Sequence, residues 1–328
     1  MPDKRSFTSS LARDIDRFLA HKRALGRRYL VEETTLRIFD RYLVAHSNPS
    51  ARAISPDLID AFLRSRPRRR PRSFNALLGT LRVFFQWLVA RRVLDRSPVH
   101  TRPRRATGGR TPVILRPDQV ARLLGLAGQL SDANGGELRG PTFRTIFAVL
   151  YALGLRVSEV CRLRIRDVDW ERRLLVIRES KFGKSRLVPF GPRLGAVLAG
   201  YLDARRARHG SLAEDGPVFC VTHGHSLRRQ AVGRVFRQFR GQLGIVLPDG
   251  ASPARVHDLR HSCAVRTLLR WYRSGVDPSQ RLLHLSTFLG HVQPESTAVY
   301  LTITGELLDL AGARFERLAE VLLPKVST

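Results

Sequence analysis

The sequence predicts a mainly α-helical chain with one small antiparallel β-sheet, arranged as an N-terminal helical bundle followed by a larger α+β domain. Three observations lead there. Apolar residues recur at helical spacing through most of the 328 residues, the only clear strand signal lies between Val168 and Phe190, and a segment without apolar periodicity divides the two regions. That segment is H-T-R-P-R-R-A-T-G-G-R-T-P, His100 to Pro112, whose prolines, glycines and arginines read as a flexible cationic linker. The expected domains are therefore residues 1–99, a linker at 100–112, and residues 113–328. With 43% hydrophobic and 26% charged residues, each domain is able to bury a core of its own.

The N-terminal elements follow in order. Leu11, Ile15, Phe18 and Leu19 mark a first helix, and Leu36, Phe39, Tyr42 and Leu43 a second. A third starts after Ser55-Pro56-Asp57, a capping residue followed by proline, and carries Leu58, Ile59, Phe62 and Leu63. The fourth, from about Ser73 to Arg92, carries Leu77, Leu78, Leu81, Phe84, Phe85, Trp87 and Leu88. Four helices without a strand signal make a small bundle.

Beyond the linker, Leu115-Arg116-Pro117-Asp118 opens a helix with Val120, Leu123 and Leu124. A polar loop at Asp132–Gly140 leads to a helix through Phe143, Ile146, Phe147, Leu150 and Tyr151 that stops at Gly154. The periodicity then changes. Leu174–Ile177 and Arg186–Pro189 read as two strands of a hairpin with Lys181 and Lys184 at its tip. Helical patterns return around Leu194–Ala207, Leu227–Leu243, Val256–Tyr272, Gln280–Gly290 and Glu295–Leu322. Leu307, Leu308, Leu310, Leu318, Val321 and Leu322 would give the last of these an amphipathic face, for its own domain or an adjacent protomer.

A net charge of +29 and a pI near 11.6 point to a polyanionic partner, and nucleic acid fits better than a membrane surface. Arg64–Arg72, R-S-R-P-R-R-R-P-R, concentrates that charge between the third and fourth helices. Arg68, Arg69, Arg70 and Arg72 there, Arg104 and Arg105 in the linker, and Lys184 at the hairpin tip are the candidate DNA contacts. No window reaches the about 20 apolar residues of a spanning helix, and Met1–Arg5 leads into no signal-type core, so a cytoplasmic, DNA-associated protein of bacterial type is expected. Cys161, Cys220 and Cys263 stand far apart, with no disulfide framework. Cys220, His223 and His225 could be imagined as metal ligands but fit a short loop beside an apolar run better, so neither metal nor cofactor is expected. No phosphate-binding G-x-x-x-x-G-K motif is present, and any reaction must draw its energy from the substrate. Lysine occurs only at positions 4, 22, 181, 184 and 325. Each retained lysine is informative, because lysine can give up a proton near neutrality and arginine cannot.

The stretch Val256–Tyr300 holds the densest chemistry: H-D-L-R-H at His257–His261, L-G-H at Leu289–His291, and Tyr300 nine residues on. Its residue types suit a phosphate-handling site with a nucleophile. Together with A-L-G-L-R-V-S-E-V around Arg156 and S-K-F-G-K-S-R-L-V-P-F around Lys181, these boxes, in this order from Thr111 to about Thr304, resemble the catalytic domain of the tyrosine recombinases, or phage integrase family. The first domain is similar, more loosely, to the family's helical core-binding (SAM-like) bundle.

The resemblance implies a site-specific DNA recombinase working through a 3′-phosphotyrosyl intermediate in integration, excision, resolution or transposition of a mobile element. In-line attack on a phosphodiester needs a nucleophile, neutralised non-bridging oxygens and a proton for the leaving 5′ oxygen. By residue, Tyr300 is the nucleophile and Arg156 and Arg260 offer planar forks to the phosphate. Lys181 protonates the leaving oxygen, with Lys184 as competitor; His257 assists proton movement at the tyrosine; His291 bonds a phosphate oxygen. Glu159 supports, orienting Arg156 or His257, or simply pairs with a neighbouring arginine; His261 is read as structural. The implied partners are a double-stranded recombination site, further copies of the chain in a tetrameric synapse, and an accessory protein or second recombinase. The stretch from His261 to Leu289 is longer than in compact chromosome-resolving relatives and looks more like mobile-element recombinases. Two alternatives stay open: a type IB topoisomerase-like enzyme that relaxes DNA, and a catalytically inactive DNA-binding accessory protein.

Overall fold

The computed structural model describes residues 6–105, 110–132, 137–178, 185–221, 225–291, 293, 295–302, 309 and 312. Lys181, Lys184, His223 and nearly all of the expected terminal amphipathic helix lie outside these residues. The chain divides into two compact units, Met1–Gly109 and Arg110–Thr328.

The first unit is a bundle of α1 (Ala12–Ala24), α2 (Leu30–Ala45), α3 (Pro56–Ser65) and α4 (Pro71–Ala90). The cap of α3 forms as its sequence predicts: the Ser55 hydroxyl accepts from Leu58 N at 3.2 Å and Pro56 occupies the first turn. An aromatic core closes the bundle. Phe39 meets Phe62 edge-on at 4.9 Å and Phe18 meets Phe84 at 5.3 Å, the T-shaped geometry that ring quadrupoles prefer. Residues 101–105, within the stretch read as linker, are docked on this bundle. Asn75 and Arg104 exchange a pair of 2.8 Å hydrogen bonds, and the Arg104 guanidinium lies 3.9 Å above the Phe74 ring. Arg104 also donates to the carbonyl of Arg68 at 2.8 Å. The basic run and the docked segment therefore form one patch on which Arg68, Arg69, Arg70, Arg72, Arg104 and Arg105 are all exposed.

The second unit is built around α6 (Arg139–Leu153), whose Phe143, Ile146, Phe147, Val149 and Leu150 are buried on several sides, so it runs through the core instead of along its surface. Packed on it or near it are α5 (Pro117–Gly128), α7 (Val157–Val160), α8 (Pro192–His209), α9 (Arg229–Phe239), α10 (Asp258–Arg273), α11 (Pro278–Leu289) and α12 (Glu295–Ala298). The sheet has three antiparallel strands in the order β1 (Val168–Asp169), β2 (Leu174–Ile177) and β3 (Arg186–Pro189), one more than the hairpin expected. Two residues carry no readable alternation, which is why β1 has no signature of its own. Its pairing is defined by Val168 opposite Leu175.

Two further differences bear on the site. The helical pattern expected from Glu295 onward is broken at once: α12 ends at Ala298 and a 3₁₀ turn, Val299–Thr302, carries Tyr300. His257 sits at the cap of α10, just outside the helix that holds Arg260 and His261. The stretch after His261 becomes the end of α10, a turn at Gly275 with φ 73°, and α11, capped by Asp277 accepting from Ser279 N at 2.9 Å.

Candidate active site

Two glycine turns frame the site. α6 ends at Gly154 and α11 at Gly290, both left-handed, with φ 58° and 70°. A Cβ at Gly154 would lie 2.7 Å from the Leu289 side chain, and one at Gly290 would lie 2.7 Å from Nη1 of Arg186. Neither turn has room for another residue, so the A-L-G-L-R and L-G-H boxes pack directly against one another.

The two arginines stitch these turns together. Arg260, only 2% exposed, donates from Nη1 to the carbonyl of Gly154 at 2.6 Å and from Nη2 to that of Leu289 at 2.7 Å. Arg156 donates to the carbonyl of Gly290 and, at 2.8 Å, to Glu159. Burial and the charge of Arg156 push Arg260 down to about 10, still a cation at neutral pH. Arg260 thus brings positive charge into the interior where a phosphate would need it.

Glu159 is the hub behind them. It is almost fully buried, and its carboxylate caps α7 by accepting from Arg156 N at 2.9 Å. The same carboxylate receives a fork from Arg186, Nη1 to Oε1 and Nη2 to Oε2, both at 2.9 Å. Burial pushes the Glu159 carboxyl up, but the hydrogen bonds and charge of Arg186, with those of Arg156, outweigh it and hold it down at about 2. Arg186 also donates from Nε to the carbonyl of Phe288 at 2.9 Å, tying β3 to the end of α11. Glu159 therefore orients Arg156 and not His257, and its second partner is an arginine that sequence reasoning missed. Strand alternation puts Arg186 on one face with buried Val188, while Leu187 between them points outward at 60% exposure, and only the fold reveals which face is buried.

Tyr300 lies at the centre, 2% exposed, in a small cluster with Val265, Leu268, Leu285 and Leu289. Burial raises its phenol above the ordinary value, against the lowering influence of Arg260. Its hydroxyl is 2.7 Å from Nδ1 of His261, the residue read from sequence as structural. His291 stacks beside the tyrosine ring, centroids 6.3 Å apart, and its own Nδ1 is 2.6 Å from the hydroxyl of Thr297. His257 contacts His261 edge-on at 4.8 Å, one step removed from the phenol.

All three histidines are held neutral at physiological pH. Burial, then Arg260 and Arg110, push His261 down to about 4. Burial, then Arg260 and Arg156, push His291 down to about 3. For His257 the surrounding protein mass, then His261 and Arg260, lower it to about 4, a shift that solvent must soften because more than a third of this side chain is open. Below the site, buried Asp258 accepts from Arg110 at 3.1 Å and from Arg255 N at 2.7 Å, and burial raises it to about 6 against the pull of Arg110.

Six of the predicted site residues, Arg156, Glu159, His257, Arg260, His291 and Tyr300, are thus brought to one place. Lys181 and Lys184 fall outside the described residues. No group of three metal-ligating side chains occurs among the described residues, and none of their helices is long and apolar enough to cross a membrane. The cluster combines an enclosed phenol, two arginine cations and three neutral imidazoles, residue types that suit two of the needs of in-line attack on a phosphodiester, a nucleophile and charge neutralisation.

The Phage integrase family profile matches residues 114–306. Named relatives include the integrase/recombinase y4rB of Sinorhizobium fredii, 32% identical over 94% of this chain and 98% of that one. Another is the tyrosine recombinase XerC of a Mycobacterium species, 33% identical over 69% of this chain and 70% of that one. Among solved structures, a lambda integrase dimer bound to a COC′ core site superposes with TM-score 0.62 at 18% identity, over 89% of this chain and 95% of that one. The Tn1549 transposon integrase with transposon right end DNA gives 0.64 at 16% identity, over 95% and 100%. The match of profile, relatives and fold is to one group throughout: this chain belongs to the phage integrase family, the tyrosine recombinases.

Proposed function

We propose that this recombinase cuts and rejoins DNA at specific sites of a mobile element through a 3′-phosphotyrosyl intermediate on Tyr300. The observation that carries the reading is the convergence on Tyr300 of side chains from four separated segments: Arg156 with Glu159, Arg186 behind them, Arg260 with His261, and His291. A phosphate placed between Arg156 and Arg260 would have its non-bridging oxygens neutralised where transition-state charge grows. The Tyr300 oxygen attacks phosphorus, the bond to O5′ breaks, and the phosphotyrosyl link keeps the energy for rejoining. His291 donates to a phosphate oxygen, and His257, at the open edge, assists proton movement. Lys181 supplies the leaving-group proton from the hairpin between β2 and β3, with Lys184 its competitor.

The exposed arginines of the first unit, Arg68, Arg69, Arg70, Arg72, Arg104 and Arg105, bind the duplex backbone. Both units bind the DNA, and four copies assemble a synapse with two sites, joined where needed by an accessory protein or second recombinase. A solved lambda integrase tetramer is bound to a Holliday junction, and by family membership the same assembly is proposed here. The mobile-element role is supported by relatives named integrase/recombinase.

A suicide DNA substrate tests the reading. The protein becomes covalently attached to it and Tyr300→Phe does not; an adduct on Tyr300→Phe would assign the nucleophile elsewhere. Lys181→Ala is expected to lose cleavage of ordinary DNA and regain it with a 5′-phosphorothiolate, whose sulfur leaves without a proton. Lack of regain would move the acid role to Lys184 or another group.

A further inference from the structure

We infer that His261 is the group that takes the proton from Tyr300 during attack and returns it during rejoining. The inference rests on Tyr300 being the nucleophile and adds the residue that activates it.

The geometry separates the three histidines. Nδ1 of His261 is 2.7 Å from the Tyr300 hydroxyl, hydrogen-bond distance to the reacting oxygen itself. His291 lies flat beside the ring with its Nδ1 committed to Thr297, and His257 meets His261 and not the phenol. α10 sets this arrangement: His257 caps the helix and His261 falls one turn inside it, so one residue reaches the open edge and the other the buried tyrosine.

With its proton on Nε2, His261 offers the Nδ1 lone pair to the phenol. Burial and the charges of Arg260 and Arg110 keep the ring uncharged before DNA binds, so that lone pair is free. The groups facing it are Tyr300, His257, Arg260 and Arg110. In the step, the Tyr300 O–H bond breaks and its proton goes to Nδ1. The oxygen pair forms the bond to phosphorus, and the bond from phosphorus to O5′ breaks with its electrons leaving on O5′, which Lys181 protonates. The imidazolium formed beside two arginines is costly in the empty site. The charge of the bound phosphate offsets those arginines, so proton transfer is coupled to the presence of substrate and to formation of the new bond. Rejoining runs the same path backward, with His261 returning the proton to the departing phenolate.

The experiment varies phenol acidity at position 300. Full-length protein carrying tyrosine or the more acidic 3,5-difluorotyrosine there is combined with His261→Ala, His261→Gln or His257→Ala. Adduct formation on a suicide substrate is followed in single turnover at saturating DNA. With tyrosine, His261→Ala slows the reaction on the order of 100-fold, a usual share for general base catalysis. With difluorotyrosine, which needs less help to ionise, that loss shrinks at least about tenfold, following Brønsted behaviour. His261→Gln keeps a hydrogen-bond acceptor but cannot take a proton, and it behaves like His261→Ala while melting like the unaltered protein. An equal loss with both phenols, full activity in His261→Gln, or a phenol-dependent loss in His257→Ala instead would overturn the assignment. Absence of any adduct with either phenol in otherwise unaltered protein would sink the nucleophile reading itself, a separate result.

Discussion

Among individual residues, Glu159 has the most to lose. Its carboxylate serves two guanidinium groups and a backbone N–H from a nearly water-free position. Removing one partner of a buried pair costs about 3–5 kcal/mol. Glu159→Ala is expected at or above the top of that range, since it strands both Arg156 and Arg186. Arg186→Ala is expected near the bottom, since Glu159 keeps Arg156. Denaturant unfolding of the two variants checks this order, and equal losses would mean that the hub description is wrong. The residue scale is also where sequence reading succeeded unevenly. Arg156, His257, Arg260, His291 and Tyr300 were legible because the motifs name them. Arg186 was hidden among many arginines, and His261 because only the fold reveals which histidine of H-D-L-R-H faces Tyr300.

At the level of elements, the two glycine turns are the joints of the site. Gly290→Ala meets two penalties, a left-handed conformation costing roughly 1–2 kcal/mol and a Cβ pushed against an arginine that Glu159 holds in place. Gly26→Ala, with φ 75° and open space around it, meets only the first. Both variants should lose stability to backbone strain, Gly290→Ala the more, and only Gly290→Ala should lose cleavage rate, about tenfold or more if Arg186 and the carbonyl bound by Arg156 shift by the equivalent of 1.4 kcal/mol. Unchanged cleavage in Gly290→Ala would show that the turn does not position Arg156. Helices were the best-read elements, and the reason is local: Ser55-Pro56 encodes the start of α3, and Gly154 and Gly290 the ends of α6 and α11. The two-residue β1 and the 3₁₀ turn under Tyr300 depend on distant partners, and no local pattern encodes them.

For the molecule as a whole, acidity and salt are the external levers. Free histidines titrate near about 6.5, whereas His257, His261 and His291 are lowered to about 4, 4 and 3. The unfolded chain then binds protons that the folded chain refuses, so the stability contributed by these rings is full above about pH 6.5 and drains away toward pH 4. Asp258, raised to about 6, runs the opposite way, its contribution present in acid and lost as pH rises through 6. His261 and His291, with the solvent-open His257 adding less, outweigh the single Asp258, and Tm should fall between pH 7 and 4.5; a Tm that rises on acidification would contradict the enclosed neutral histidines. Salt acts through the +29 charge. Replacing Arg68, Arg69, Arg70 and Arg72 by glutamine should weaken DNA binding and flatten its logarithmic salt dependence by about 0.9 for each phosphate that is no longer neutralised; an unchanged slope would place the duplex on another face. Because the Arg260 fork ties the carbonyls of Gly154 and Leu289, a change of this arginine would unfasten two turns as well as remove a charge. Phenylalanine at position 300 would instead keep the ring in its apolar cluster and give up only the oxygen and its contact with His261. The two positions therefore differ in what their loss asks of the fold, and Tyr300 is the one that can change while the framework stands.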